Sequence, residues 1–222
     1  MPIKVILFDL GNVIVFVDHM HICAKIAAWG GNPADIYHYI FTERIEEALD
    51  RGEITPVRFF DAIKERFDLR LDYDDFLNVW SSGFVPNEEI IPLIEELKCR
   101  YRLSLLSNTN QAHFEAIRRD VPILSTFETC FLSYEMGLRK PDPRIYERVL
   151  EAMHIMPGEC VYIDDNESFV QAARCLGIRG VVFSDVPGLR RELKRELSTC
   201  RMEGNKTARH PAGIRSTENQ GT

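Results

Sequence analysis

Short apolar runs alternate with amphipathic stretches along most of the chain. Five runs have the length and composition of buried strands, and they cover residues 4–9, 103–107, 128–133, 161–164 and 180–184. Stretches with helical periodicity, each about 10 to 15 residues long, separate the later runs. Alternation of this kind predicts an α/β fold with a doubly wound parallel sheet.

Residues 18–86 interrupt that alternation. They contain no strand-like run but several amphipathic stretches, so we expect a helical insert after the first strand. Thr55 followed by Pro56 is a helix start signal within this insert, because threonine is a common N-cap and proline fits the first helical position. The expected organisation is a core domain at 1–17 and 87–200, a helical domain at 18–86 and a disordered tail at 201–222.

Composition and charge narrow the class of protein. With 222 residues, of which 45% are hydrophobic, the chain is long enough for a substantial core. The formal net charge is -7 and the basic residues are scattered, which argues against nucleic acid as a partner. No apolar stretch is long enough for a bilayer span or a secretory signal. The six cysteines lack metal-type spacing, so we expect reduced thiols in a cytoplasmic protein.

Polar side chains cluster where the predicted strands end. They are Asp9, the run Ser107-Asn108-Thr109, Lys140 in the loop after the third strand, and the pair Asp164-Asp165. Each alone is a common turn residue, helix cap or surface residue. Ligands of doubly wound sheets bind beyond the carboxyl ends of the strands, so together these residues favour one site with three carboxylates, an ammonium and a hydroxyl.

Four short strings, in this order, carry a family resemblance. FDLGNV at 8–13, LLSNT at 105–109, RKPD at 139–142 and YIDDN at 162–166 are similar to the four motifs of the haloacid dehalogenase-like hydrolases. The resemblance implies a Rossmann-like core, with the helical insert as the α-helical cap of one subgroup. Longer strings, DLGNVIV, LSNTN and GLRKPDPRIYERVL, resemble bacterial sugar-phosphate phosphatases that hydrolyse α-glucose 1-phosphate.

The resemblance implies a Mg²⁺-dependent phosphatase with an aspartyl-phosphate intermediate. Asp9 corresponds to the nucleophile and to a metal ligand, and Asp165 to the second carboxylate ligand. Asp164 would be a ligand or the partner of one, and the backbone carbonyl of Gly11 would also bind the metal. Magnesium suits such a set because it is a hard cation that takes oxygen ligands. A carboxylate can attack a phosphate monoester only where cations neutralise the phosphoryl oxygens.

The other motif residues would hold the phosphoryl group. Lys140 would neutralise its charge, Ser107 and Asn108 would donate hydrogen bonds to its oxygens, and His113 would face the substrate. The implied substrate is a small phosphorylated metabolite, such as a hexose 1-phosphate. We expect no nucleic-acid or membrane partner, and a monomer or small homo-oligomer.

Gly11 departs from the family pattern. Phosphatases of this family usually carry a second aspartate there, which protonates the leaving oxygen, whereas Gly11 retains only the backbone carbonyl. A positioned acid typically contributes about 100- to 10,000-fold, so its loss favours substrates with acidic leaving groups, such as sugar 1-phosphates. It also argues against a mutase, which needs a base at this position. His113 and Asp18 are the candidates for a replacement acid.

Specificity is expected in the cap, and two other functions stay open. Candidate cap residues are Phe16, His19, Arg44 and Trp80, although packing explains Phe16 and Trp80 as well. A metal-independent 2-haloacid dehalogenase-type hydrolase would share the fold and the aspartate nucleophile. A non-catalytic binding protein of the same fold is the other alternative.

Overall fold

The computed structural model of the protein describes residues 1–198. Seven strands are present in this part of the chain: β1 (Val5–Phe8), β2 (Val15–Val17), β3 (Phe84–Pro86), β4 (Arg102–Ser107), β5 (Thr129–Leu132), β6 (Cys160–Asp164) and β7 (Arg179–Val182). Five of them form one sheet in the order β5-β4-β1-β6-β7, and every pairing in it is parallel. The predicted doubly wound α/β fold is confirmed.

Eleven α-helices accompany these strands within residues 1–198. They are α1 (His19–Ala27), α2 (Pro33–Tyr37), α3 (Ile45–Asp50), α4 (Pro56–Phe67), α5 (Tyr73–Trp80), α6 (Ile91–Lys98), α7 (Gln111–Asp120), α8 (Ser133–Met136), α9 (Pro143–Met153), α10 (Glu167–Cys175) and α11 (Val186–Ser198). A π-helical segment, His38–Thr42, continues directly from α2. Among the described residues, no helix combines the length and the apolar character that crossing a bilayer requires.

The central strand β1 is buried on both faces. Ile6 and Phe8 belong to one apolar core, and Val5 and Leu7 belong to a second core on the opposite face of the sheet. Successive side chains of a strand point to opposite faces, so a continuous apolar run is required where helices cover both sides. Chain order reverses at β1, which places its carboxyl end at the position where such sheets bind ligands.

The helices α1 to α5 have an apolar core of their own. Its fully buried members include Ile22, Phe59, Phe76 and Trp80. Thr55 caps α4 as predicted, because its hydroxyl accepts a hydrogen bond from the Arg58 backbone at 3.3 Å. The insert is therefore helical, as expected. The domain boundaries at residues 18 and 86 stay a prediction.

One expectation about the insert is wrong. The stretch predicted to lack strands contains β3, which pairs antiparallel with β2 in a two-stranded ribbon. Each of these strands has only three residues, and none of the residues of β3 is buried, so no hydrophobic periodicity marks them. The ribbon lies where the chain leaves the central sheet and returns to it. The predicted tail at 201–222 lies outside the described residues.

Candidate active site

Asp9 stands at the carboxyl end of β1, in the middle of the sheet. Its backbone N–H donates to Ile163 of the neighbouring strand at 2.8 Å, so the main chain fixes its position. Its carboxylate oxygen Oδ1 accepts a hydrogen bond from the Leu10 backbone at 2.7 Å. Asn12 then adopts a left-handed conformation with φ of 54°, which turns the chain away from the sheet edge. Asp9 is thereby presented at the mouth of the fold.

Lys140 is buried against two carboxylates. Its Nζ lies 2.8 Å from Asp9 Oδ1 and 2.7 Å from Asp164 Oδ2, and it donates to the Leu106 carbonyl at 3.2 Å. Burial alone would lower the pKa of Lys140, but the attraction of the two aspartates outweighs it and raises this pKa above its ordinary value. The ammonium group therefore stays charged.

The same surroundings also raise the pKa of Asp9. Burial raises the pKa of Asp9 to about 7 and Asp164 contributes further, although Lys140 opposes both effects. Three carboxylates therefore share the site with one ammonium, which leaves an excess of acidic groups. A group with two positive charges would relieve this excess.

The two aspartates after β6 have different surroundings. Asp164 is fully buried and accepts hydrogen bonds from Lys140, from the Tyr162 hydroxyl and from the Asn166 backbone. Asp165 is exposed and accepts one bond from the Asn12 side chain at 3.1 Å. Asp164 is therefore well placed to hold Lys140, whereas Asp165 has oxygen lone pairs that face the mouth.

These carboxylates fit a divalent cation. One oxygen each of Asp9, Asp164 and Asp165 lies within 4.8 Å of the others. Partial burial raises the pKa of Asp165, a direction that a bound cation would reverse. Hard oxygen donors on two or three carboxylates form the type of ligand set that Mg²⁺ uses.

Ser107 and Asn108 lie where they were predicted, but the Asn108 side chain is already engaged. Its amide donates to the Lys140 carbonyl at 3.0 Å, and its oxygen accepts from the Lys140 backbone at 2.8 Å. The two bonds fix the loop that carries the lysine, so this side chain positions Lys140 instead of pointing to a phosphoryl group. Ser107 is buried at the cavity wall, with a hydroxyl whose single contact is a long one of 3.4 Å to the Asn108 carbonyl.

His113 lines the cavity, but its ionisation does not suit an acid. The ring stacks on Trp80 with centroids 4.5 Å apart and meets Phe84 edge-on at 4.9 Å. Burial lowers the pKa of His113 to about 3, and His19 lowers it further, so the imidazole is neutral near pH 7. The hypothesis that His113 replaces the missing acid is therefore disfavoured. Asp18, the other candidate, caps α1 by accepting from the His21 backbone and is not part of the cavity wall.

The cap candidates are only partly brought to the cavity. His19 lines it, stacked on Phe41, whereas Trp80 is buried in the core of the insert. Phe16 is 46% exposed and Arg44 pairs with Glu47, and neither residue lines the cavity.

The cavity has a volume of about 250 Å³ and joins the strand ends to the insert. Asp9, Gly11, Lys140 and Asp165 form one end of it. A larger groove of about 450 Å³ between α6 and α11 contains none of these residues, so volume alone does not locate the site.

Sequence reasoning missed three charged residues at the other end of this cavity. They are Glu46 and Asp50 of α3, and Arg139, which lies 3.2 Å from Asp50 and 2.6 Å from Glu47. Arg139 belongs to a recognised motif, but the sequence around it does not show that its side chain contacts α3, about ninety positions earlier in the chain. The acidic residues of α3 look like an ordinary solvated helix start.

An aspartate that follows the central strand of a doubly wound sheet lies beside a buried lysine and two further aspartates, in agreement with the resemblance of the four motifs to a family of hydrolases. The chain belongs to the haloacid dehalogenase-like hydrolases, whose family profile matches residues 3–177. The protein is therefore a hydrolase, as predicted.

Two relatives that align with most of the chain are named as phosphatases of phosphorylated carbohydrates. A D-ribitol-5-phosphate phosphatase of Bacteroides thetaiotaomicron is 28% identical, over 79% of this chain and 89% of its own. A phosphorylated carbohydrates phosphatase of Thermotoga maritima is 27% identical, over 82% of this chain and 86% of its own. A haloacid dehalogenase family enzyme of B. thetaiotaomicron, solved with magnesium and inorganic phosphate, is 30% identical with a TM-score of 0.76, covering 82% and 95% of the two chains.

Dehalogenases share the fold alone. A 2-haloacid dehalogenase of Pseudomonas syringae has a TM-score of 0.59 over 82% of this chain and 86% of its own, but only 19% identity.

Proposed function

We propose that the protein is a Mg²⁺-dependent phosphatase that forms an aspartyl-phosphate on Asp9 and acts on a small sugar or polyol monophosphate. The observation that carries this proposal is the position of Lys140, whose ammonium lies 2.8 Å from Asp9 and 2.7 Å from Asp164. Asp165 lies beside them at the open side of the cavity. The names of the related carbohydrate phosphatases support the substrate class.

The chain's own residues account for the covalent step. A carboxylate oxygen of Asp9 forms a bond to phosphorus while the bond from phosphorus to the leaving oxygen breaks, and the leaving oxygen takes a proton from water. Water then attacks the phosphorus of the acyl phosphate, which restores Asp9 and releases inorganic phosphate. Lys140 stays charged through both steps because Asp164 holds it in place, so it can neutralise the phosphoryl oxygens.

The metal ligands proposed here are Asp9, Asp165 and the backbone carbonyl of Gly11, with Asp164 either a ligand or the partner that orients Lys140. Bound Mg²⁺ would supply positive charge on the phosphoryl oxygens and a fixed orientation for in-line attack. The excess of carboxylates over ammonium groups in this part of the site supports a requirement for such a cation.

Within the substrate class we propose sugar 1-phosphates first. Gly11 provides no acid, and His113 is neutral with a pKa of about 3, so a leaving oxygen that needs little help is favoured. The second candidate is a pentitol phosphate, because a relative is named for D-ribitol 5-phosphate, a primary alkyl ester that would be a poorer leaving group. The proposed state is a cytoplasmic monomer or small homo-oligomer.

Two rival functions give different results in one experiment. A metal-independent dehalogenase does not require a cation site such as Asp164 and Asp165 form beside Asp9. A binding protein does not require a charged lysine in contact with a nucleophilic carboxylate. We would measure phosphate release from p-nitrophenyl phosphate, glucose 1-phosphate, glucose 6-phosphate and D-ribitol 5-phosphate, with Mg²⁺ and with a chelator, and chloride release from 2-chloropropionate.

The proposal predicts phosphate release that needs Mg²⁺ and is faster for glucose 1-phosphate than for glucose 6-phosphate. Chloride release that survives the chelator would favour the dehalogenase. No release of either ion at high protein concentration would favour a binding protein. Equal rates for the two glucose phosphates would contradict the role given to Gly11.

A further inference from the structure

We propose that Glu46 and Asp50 form a hydroxyl-binding end of the cavity that selects an uncharged polyol as the leaving group, with Glu46 as the specificity-determining residue. This inference rests on the proposed function, because the leaving group is defined by a phosphoryl group held at Asp9. The supporting observations are the place of these two side chains in the cavity, the hydrogen bonds that they lack, and the balance of charge around them.

Asp50 is buried with one oxygen unused. The residue is 3% exposed and lines the cavity, and its Oδ2 lies 3.2 Å from Arg139. Its Oδ1 has no hydrogen bond of good geometry, and the donor closest to it is the Asn110 amide, which also contacts His113 Nδ1 at 3.2 Å. A buried acceptor without a donor is unfavourable by about 1–3 kcal/mol, and a hydroxyl of a bound ligand would supply the missing donor.

Glu46 faces the same space, near Arg139 but without an ion pair to it. It lines the cavity, yet among residues 1–198 no ion pair includes it, while the neighbouring Glu47 pairs with Arg44, Arg51 and Arg139. Burial and the neighbouring Asp50 raise the pKa of Glu46 well above its ordinary value, although the charge of Arg139 opposes them. A carboxyl oxygen outside any ion pair can accept a hydrogen bond from a hydroxyl of the ligand.

The position of the pair assigns it to the leaving group. Asp9 follows strand β1 and Lys140 lies in the loop between α8 and α9, whereas Glu46 and Asp50 belong to α3 of the insert. The four residues line one cavity. A phosphoryl group beside Asp9 would therefore extend its ester group toward α3. The volume of about 250 Å³ suits a small metabolite.

Charge at this end excludes a second anion. Arg139 is the guanidinium that lines the cavity there, and it is already paired with Glu47 and Asp50. A second phosphate or a carboxylate on the substrate would meet carboxyl groups without a free cation, which is unfavourable. The structure therefore favours monophosphates of polyhydroxy compounds over bisphosphates and phosphorylated acids.

The test compares Glu46→Ala and Glu46→Gln with wild type on three substrates in Mg²⁺: p-nitrophenyl phosphate, glucose 1-phosphate and glucose 1,6-bisphosphate. Glu53→Gln is the matched control, since Glu53 is exposed and does not line the cavity. A p-nitrophenyl group has no hydroxyls, so it reports on the phosphoryl end alone.

We expect Glu46→Ala to lower kcat/KM for glucose 1-phosphate by about 10- to 100-fold, the effect of one or two lost hydrogen bonds, and to change p-nitrophenyl phosphate by less than about threefold. The ratio of bisphosphate to monophosphate activity should rise in both Glu46 variants and stay unchanged in Glu53→Gln. Equal losses on all substrates, or no loss on glucose 1-phosphate, would overturn the inference.

A binding measurement separates failure of this inference from failure of the proposed function. Calorimetric titration with glucose 1-phosphate in Mg²⁺ is done on Asp9→Asn, which should not consume the ligand, and the affinity should weaken by at least about tenfold when Glu46→Ala is added. Absence of phosphate release with such binding retained would contradict the phosphatase but support the hydroxyl-binding end. Activity on p-nitrophenyl phosphate, together with a glucose 1-phosphate affinity that Glu46→Ala leaves unchanged, would support the phosphatase but contradict the hydroxyl-binding end.

Discussion

At the scale of single residues, Gly11 is the position that most restricts the chemistry. A β-carbon at this glycine would meet only Val17 Cγ2, at 4.0 Å, so the site has room for a side chain. Gly11→Asp should therefore fold and add an acid close to the leaving oxygen. We expect its kcat/KM for glucose 6-phosphate to exceed that of Gly11→Asn by at least about tenfold, because asparagine has the same size but cannot donate the proton as an acid. Equal rates for the two variants would contradict the claim that a missing acid at position 11 limits activity on alkyl phosphates.

His113 gives a prediction about stability and pH. Its pKa is lowered to about 3 in the folded protein, so the unfolded chain binds a proton below about pH 6.5 that the folded protein does not. Stability should therefore fall as pH decreases from about 6.5 toward 3, by up to about 1.4 kcal/mol per pH unit. His113→Phe keeps an aromatic ring against Trp80 and removes this contribution. Denaturant unfolding of both proteins at pH 7 and pH 5 measures the difference, and parallel losses would contradict the assignment.

Residues differ in how far the sequence reveals them. Asp9, Lys140 and Asp165 follow strands or belong to recognisable motifs, and the structure brings them together as the sequence suggested. Glu46 and Asp50 could not be found in the same way, because their helical positions do not show that they face a loop of the core. The state of His113 depends on burial under Trp80, which local sequence does not encode.

At the scale of elements, the contact between α3 and α8 holds the insert against the core. Gly52, just after α3, has φ of 66°, and a β-carbon there would lie 2.5 Å from the Tyr134 carbonyl oxygen. Gly137 has a similar φ of 65° with no atom within 4 Å of that position. Both Gly→Ala variants carry the left-handed strain, so the difference between them isolates the contact.

We expect Gly52→Ala to be less stable than Gly137→Ala by about 1–3 kcal/mol in denaturant unfolding, owing to the added clash. The insert should also shift relative to the cavity, which would raise KM for a sugar phosphate in Gly52→Ala alone. Equal stability of the two variants would mean that the contact between these elements is loose.

Elements were predictable where burial imposes a pattern. The five strands of the central sheet are covered on both sides, so each appears as an apolar run, and the helices between them carry one apolar face. The ribbon of β2 and β3 was not predictable, since it has three residues on each side and Pro86 at one end. Its pairing depends on where the core and the insert place the chain.

At the scale of the whole molecule, the core with its central sheet and the helical insert line one cavity together. The ends of β1 and β6 supply three carboxylates, the loop between α8 and α9 supplies an ammonium, and the insert supplies carboxyl groups at the opposite end. Because Asp9, Asp164 and Asp165 repel one another, a bound divalent cation should stabilise the entire fold.

Thermal unfolding tests this consequence without any substrate. Mg²⁺ at about 100 times its dissociation constant should stabilise wild type by about 2.7 kcal/mol, which corresponds to a rise in Tm of roughly 5–10 °C. Asp165→Asn should show a much smaller rise at the same concentration, while Asp185→Asn, an exposed aspartate away from the cavity, should behave as wild type. An equal rise in all three proteins would place the cation elsewhere.

The most direct test of the account is the loss of phosphate release in Asp9→Asn. Asparagine keeps the shape and the hydrogen bond from Leu10 but is not a nucleophile toward phosphorus. With Mg²⁺ and p-nitrophenyl phosphate, wild type should release phosphate and folded Asp9→Asn should be slower by more than about 1,000-fold. A folded Asp9→Asn variant that stays within about tenfold of wild type would contradict covalent catalysis at this strand end.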